Sequence, residues 1–321
     1  MGFFDFAKPV PLKEALELHV TLWPAFPHFN KFASDSRIQG IRLNSAMMAA
    51  SEIDVQFERN IKLATVPLWF DIKGMQMRIK EVVCGTDCDH LEFKLNRPVQ
   101  VDTPCPVWFK GGEDCALLVE IRDGNHFIFE GGPRYEVRAG ESIHIREKSL
   151  HVGGPPLLDY ELEKLDKIKS LGFTNYYLSY VYDTKHINAL REIIGKDANL
   201  ILKIENKAGL RWIRDHYKRM HNTQLAAARG DLFVEVNYPH HIMQACQMII
   251  EKDRRAMVGS RMLLSVIHSD TPSCADLTEM AWLYDNGYNN FLLCDELCLK
   301  DELLSKAVNV FDAFRRDYCE M

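Results

Sequence analysis

The chain has 321 residues, a net charge of −6, a hydrophobic fraction of 47% and a charged fraction of 26%. That balance is ordinary for a globular protein, and the acidic excess argues against a general nucleic-acid binder, which carries a basic surplus. No apolar run approaches the roughly 18 residues of a membrane span. The N-terminus lacks the basic-then-apolar order of a secretory signal, and the 9 cysteines at irregular spacings fit free thiols of a reducing compartment, so a cytoplasmic protein without a membrane partner is expected.

In chain order, the first strand-like runs are LHVTLW (18–23), GIRLN (40–44) and VPLWFDI (66–72). Residues 74–154 then change texture. HLEFKLN, VQVDT, PVWFK, ALLVEI, HFIFE, YEVRA and SIHIRE are short alternating runs separated by the turn signals RDGN, EGGP and RAGE, which predicts a compact antiparallel β module. Its exit, HVGGPPLLD, has the Gly/Pro content of a hinge. After it, helical patterns alternate with strands. PLLDYELEKLDKIKSLG places Leu158, Leu162, Leu165 and Ile168 at helical spacing and stops at Gly172. YYLSYVY, LILKIE, LAAAR, RAMVGS and NFLLC interleave with the helical stretches TKHINALREIIG, NKAGLRWIRDHYKRM, PHHIMQACQMIIEKD and CADLTEMAWLYDNG. Eight strands alternating with helices predict an α/β fold, a parallel (β/α)8 barrel formed by residues 1–73 plus 155–321, with residues 74–154 inserted.

Four of these strand ends carry two polar residues two positions apart: Arg42/Asn44, Asp71/Lys73, Lys203/Glu205 and Arg229/Asp231. Residues i and i+2 share one face of a strand. Unpaired buried charge is costly, so eight such groups at one barrel rim point to a solvated cleft for an anion and a metal. Glu205 and Asp231 are hard oxygen donors of the kind Mg²⁺ or Mn²⁺ prefers. Cys84-x3-Cys88 with His90, and Cys294-x3-Cys298, have no second pair at zinc-finger distance. No Rossmann or Walker motif is present.

The motifs LILKIENKAGL, AARGDLFVEV, VGSRMLLSVI and TPSCADLTEMAWLYDNGYNNFLLCDE, with VTLWPA, GIRLNS and FDIKG before them, resemble the pyruvate kinase family over roughly residues 18–315. The resemblance implies a barrel of the phosphoenolpyruvate/pyruvate-binding type whose β insert is a lid. The chain stops one helix after strand eight, so that family's C-terminal regulatory domain is expected to be absent. The implied reaction is phosphoryl transfer between phosphoenolpyruvate and a nucleotide (ADP/ATP) through enolpyruvate. Lys203 would stand at the transferring phosphoryl group, Arg42 would pair with phosphate, and Ser260 would take the family's threonine position. Gly230 and Asp231 would offer main-chain N–H groups to a carboxylate. Lys73 and Arg78 would lie on the nucleotide side, and Glu205 and Asp231 would hold Mg²⁺ or Mn²⁺. Glu296 matches a family glutamate with a structural role.

Asn44 and Asp71 occupy two ligand positions of the family's potassium site, but Ala46 and Ile72 stand where the serine and threonine would be, and Met47 replaces a histidine. Potassium is therefore the doubtful cofactor. Two alternatives stay open: a metal-dependent lyase or aldolase acting on the enolate of pyruvate or another 2-oxo acid, and a diverged barrel that binds a metabolite without catalysis. The acceptor and the assembly, including any homo-oligomer, are not specified by the sequence.

Overall fold

A computed structural model describes residues 16–85 and 89–318. The reading of the extreme N-terminus and of Cys88 lies outside them. The barrel opens with β1 (Glu17–Thr21), the short α1 (Phe29–Phe32), β2 (Gly40–Asn44), α2 (Val55–Lys62) and β3 (Leu68–Ile72). The inserted strands follow: β4 (Ile79–Cys84), β5 (Glu92–Leu95), β6 (Val99–Gln100), β7 (Cys105–Phe109), β8 (Asp114–Arg122), β9 (His126–Glu130), β10 (His144–Ile145) and β11 (His151–Val152). The chain then returns through α3 (Asp159–Ser170), β12 (Asn175–Leu178), α4 (Thr184–Ile194), β13 (Asn199–Ile204), α5 (Lys207–Asp215), β14 (Thr223–Ala228) and α6 (Arg229–Glu235). It ends with α7 (His241–Lys252), β15 (Met257–Gly259), α8 (Cys274–Asp285), β16 (Asn290–Leu292), α9 (Asp295–Cys298) and α10 (Asp301–Tyr318).

Eight parallel strands close in the order β1-β16-β15-β14-β13-β12-β3-β2. The interior is packed, with Trp69 against Tyr177, Ile201, Ala226, Met257 and Leu292, so it is a core and not a channel. Side-chain caps set the helix starts: Asp183 accepts from the main-chain N–H of His186 at 2.9 Å, and Asn206 from that of Gly209 at 2.8 Å. The inserted strands form a six-stranded sheet, β10-β7-β8-β9-β5-β4, and the pair β11-β6, around a second core rich in Phe93, Phe109, Phe127 and Phe129.

All eight barrel strands form where the periodicity predicts them, seven with shifted ends and β2 with the predicted bounds. Three local expectations fail. YEVRA forms no strand: its tyrosine hydroxyl donates to Glu141 at 2.8 Å and its ring lies under Lys110, and no neighbouring strand offers it a ladder. The stretch NKAGLRWIRDHYKRM leaves the helix at Asp215. Trp212 and Tyr217 are both buried, yet positions five apart point about 140° away from each other on a helix, so both can face the core only if the chain unwinds. Cys84 is disulfide-bonded rather than a free thiol.

Two connections join the insert to the barrel, and one side chain ties both. Arg97, 1% exposed, donates to the carbonyls of Gly74 (2.6 Å), Gly153 (3.2 Å) and Pro155 (3.3 Å). From the barrel side, Glu161 accepts from the N–H of Gly74 at 2.8 Å. Gly74 has φ +54°, and a Cβ there would lie 2.4 Å from His186 Nε2, so only glycine suits this turn. Replacing Arg97 with Ala strands these carbonyls and opens a cavity. We expect a loss of roughly 3–5 kcal/mol in urea-unfolding stability. A loss under about 1 kcal/mol would show that the clasp is not holding the connections.

Candidate active site

The carboxyl ends of the barrel strands open into a cavity of about 400 Å³, walled on the far side by residues of the inserted sheet and its loops, including Lys110, Gly111, Glu113 and Ser142. Its barrel wall carries Arg42, Asn44, Lys73, Lys203, Glu205, Gly230, Asp231 and Ser260, and Arg78 joins them from the start of the insert. Every residue assigned from the sequence to the divalent metal, the substrate or the nucleotide therefore lines this one cavity. Asp71 lies directly beneath it, fully buried.

Asp71 organises the floor. Its Oδ2 accepts from Arg42 Nε (2.8 Å) and Lys73 Nζ (2.8 Å) and lies 3.4 Å from Lys203 Nζ, while Oδ1 accepts from Ser179 Oγ at 2.7 Å. Burial pushes this carboxyl up, but Lys203, Lys73 and Arg42 together hold it well below the usual range. The two lysines diverge. Burial lowers Lys73 to about 7, with Arg42, Lys203 and Arg78 adding repulsion. Lys203 feels the same burial, but Asp71 and Glu205 raise it above its ordinary value. Lys203 Nζ also donates to Ser179 Oγ at 2.8 Å and sits 2.9 Å from Glu205 Oε1. Arg42 is shared between Asp71 and Asp295 (3.3 Å), and Asn44 donates to Asp295 at 3.0 Å. Asp295, rather than its neighbour Glu296, thus anchors the Arg42 corner.

The expected convergence of eight polar groups is corrected at one of them. Arg229 does not face the cleft. The chain turns helical at that residue, so Arg229 and Asp231 are about 200° apart around α6 rather than on one strand face. Arg229 instead pairs with Glu279 and donates to the Ser260 carbonyl at 2.7 Å. Ser260, Arg261 and Leu263 all have left-handed φ (68°, 62° and 55°). Non-glycine residues in that conformation cost of order 1 kcal/mol or more, and they cluster at functional loops.

Glu205 and Asp231 are the carboxylates that the β13 end and α6 present to the cavity, which Glu113, Asp295 and Glu296 also line. Glu205 Oε2 accepts from the Tyr180 N–H at 2.7 Å. Burial raises Glu205, and repulsion from Asp231 and Asp71 raises it further against the pull of Lys203. Two hard oxygen donors that repel each other beside an open cavity suit a divalent cation. Among the described residues no cluster of three or more His, Cys, Asp or Glu side chains is arranged as a metal cage. A cation here would take its remaining ligands from water and substrate.

Sequence reasoning missed Ser179, Gln76, Arg261 and His144. Ser179 directly follows the last residue of β12, where a barrel site draws its side chains, so it was findable. Gln76 donates to Asp231 Oδ2 at 3.1 Å and accepts from Arg78. Arg261 donates to the Gly111 carbonyl across the cavity at 3.0 Å. His144, from the inserted sheet, carried no local signal, because its partners are distant in sequence.

A closed (β/α)8 barrel with an inserted antiparallel sheet and an ion-rich cavity at the strand ends defines the class of protein. The chain is 29% identical over 195 residues to pyruvate kinase of Agrobacterium vitis, covering 57% of this chain and 38% of that one. It is 26% identical over 192 residues to pyruvate kinase of Mycobacterium tuberculosis (56% and 39%), and 26% identical over 194 residues to that of Mycobacterium intracellulare (58% and 39%). No family model matches. The chain is pyruvate kinase-like, and the matched region spans less than two-fifths of the length of these relatives.

His144 gives a titration test. Burial lowers its imidazole, but hydrogen bonding and attraction to Asp231 and Glu235 outweigh that and raise it to about 9. A raised folded pKa contributes stability that is fully present below the unfolded value near 6.5 and is lost as pH rises through about 9. In the metal-free protein, the His144 ring signal followed by NMR should stay that of the imidazolium from pH 6 to pH 8. A midpoint below 7 would contradict the ion pairing described.

Proposed function

We propose that this cavity carries out metal-dependent phosphoryl transfer between phosphoenolpyruvate and a nucleotide. The observation that carries the reading is Lys203. It is held charged by Asp71 and Glu205, and it lines the cavity beside the carboxylate pair. A positioned ammonium of this kind stabilises charge that develops on a transferring phosphoryl group. Arg42, oriented by Asp71 and Asp295, supports the phosphate oxygens. Gly230 and Asp231, which line the cavity, would offer main-chain N–H groups to the substrate carboxylate, and Ser260 would offer its hydroxyl to substrate or water. Glu205 and Asp231 would hold Mg²⁺ or Mn²⁺, which when bound supplies Lewis-acid stabilisation of negative charge. The insert, residues 74–154, acts as the lid.

Lys73 and Arg78 also line a second cavity of about 390 Å³ that includes Lys80, Asn96, Tyr160 and Lys164. We place the nucleotide there, its phosphates at the shared wall and its base toward Tyr160. The P–O bond to the enol oxygen breaks as the terminal oxygen of the nucleotide bonds to phosphorus, and the enolate left behind then takes a proton from solvent at carbon to give pyruvate. The reading implies a cytoplasmic enzyme.

Lys203→Met keeps most of the side-chain volume and removes the charge. It should lower kcat on the order of 10²–10³ with a smaller change in KM. Proton exchange at the pyruvate methyl should need the metal and both carboxylates but no nucleotide. Exchange without transfer to any nucleotide would favour the lyase or aldolase alternative. Neither exchange nor transfer would favour a non-catalytic barrel.

The same geometry bears on potassium. Asp71 already has three basic side chains around it, and Ala46 and Ile72 offer no side-chain oxygen. Rates measured at equal ionic strength in potassium, sodium and tetramethylammonium salts should differ less than about twofold. A large potassium-specific stimulation would refute this.

A further inference from the structure

His144 is wholly buried at the junction of the inserted sheet and the barrel. It belongs to β10, the edge strand that pairs antiparallel with β7. Its Nδ1 lies 3.0 Å from Glu235 Oε1 and 3.0 Å from the Tyr180 hydroxyl. Its Nε2 lies 3.3 Å from Asp231 Oδ1, buried and without a well-formed hydrogen bond. Asp231 and Glu235 sit one turn apart on α6, so a single ring spans both carboxylates of that helix. Neighbouring contacts seat the insert on the same helix. Arg146 of the insert donates to the Val234 carbonyl of α6, and Arg261 bridges the Gly230 carbonyl of α6 (3.4 Å) and the Gly111 carbonyl of the insert (3.0 Å).

We propose that His144 is a positioning residue, supplied by the inserted sheet, that orients the Asp231 carboxylate toward a divalent cation in the cavity. The proposal rests on the metal reading given under Proposed function. The ring and Gln76 address different oxygens of Asp231. An ionised carboxylate has about four acceptor directions, so both contacts leave a lone pair for a cation. Outer partners of metal-bound carboxylates fix their orientation, and losing one typically weakens metal binding 10–100-fold. Glu235 and the Tyr180 hydroxyl in turn fix the ring by its other nitrogen. A purely structural histidine at this position would support the folding of the insert but leave the affinity of the folded protein for a cation unchanged.

The test is a titration of the full chain with Mn²⁺, with free metal read by electron paramagnetic resonance. Wild-type protein should bind Mn²⁺, and Glu205→Gln and Asp231→Asn should abolish binding. His144→Ala should weaken it 10–100-fold, and His144→Gln, whose amide nitrogen replaces the Nε2 donor, should recover part of the loss. If His144→Ala does not fold, as judged by circular dichroism, His144→Gln and Glu235→Gln carry the test, and each should weaken binding at least threefold. Folded His144 variants that bind Mn²⁺ within twofold of wild type, while the two carboxylate variants do not bind, would overturn this inference and leave the metal reading standing. No Mn²⁺ binding by wild type would overturn both.

Discussion

The Asp71 carboxylate is the constraint on which the site depends. It has no exposure, and it lies among Arg42, Lys73 and Lys203. Such a group is not there for stability alone, since buried ion clusters often contribute less than apolar packing of the same volume. Its effect is geometric. The three cations are carried by three strands or strand ends, and one carboxylate fixes where all three heads can sit. The barrel register makes this available: β2 pairs with β3 at Asn44↔Asp71, and β13 brings Lys203 in beyond β12. Breaking the cluster at Asp71 would leave three cations repelling one another at the cavity floor.

The second constraint is α6. This short helix holds Asp231 in its first turn and Glu235 at its end, and the inserted sheet grips it through His144 and Arg146. The insert is therefore anchored at two places of different character. At its root, Arg97 and Glu161 clasp the connections through neutral main-chain groups. At its far side, His144 contacts the carboxylates of Asp231 and Glu235, and Arg146 holds the Val234 carbonyl.

Much of this was legible in the sequence, and the reasons are specific. Barrel strands declare themselves as apolar runs, four of them followed by polar residues at i and i+2, and β2 at residues 40–44 matches the structure without adjustment. Lys203 and Glu205 were legible because strand geometry persists to Ile204. Arg229 was misplaced because the strand-to-helix switch falls after Ala228, one residue before it, and apolar periodicity does not locate such a switch. His144 was illegible for a different reason. Its meaning comes from Asp231, Glu235 and Tyr180, contacts that only the closed fold creates.

Charge balance connects these observations to the chemistry. The cavity is lined by the cations Arg42, Lys73, Arg78, Lys110, Lys203 and Arg261 and by the acids Glu113, Glu205, Asp231, Asp295 and Glu296. With Asp71 beneath, six acidic side chains face six Lys and Arg side chains by formal charge. Several of the cations are engaged: Arg42 with Asp71 and Asp295, Lys203 with Asp71 and Glu205. A multiply charged anion entering such a site gains directional contacts but little net attraction. A divalent cation entering with it changes the balance, because it relieves the repulsion between Glu205 and Asp231 and neutralises the ligand at the same time. A balanced cavity would therefore favour an anion and a cation as a pair over either alone, as the proposed reaction requires.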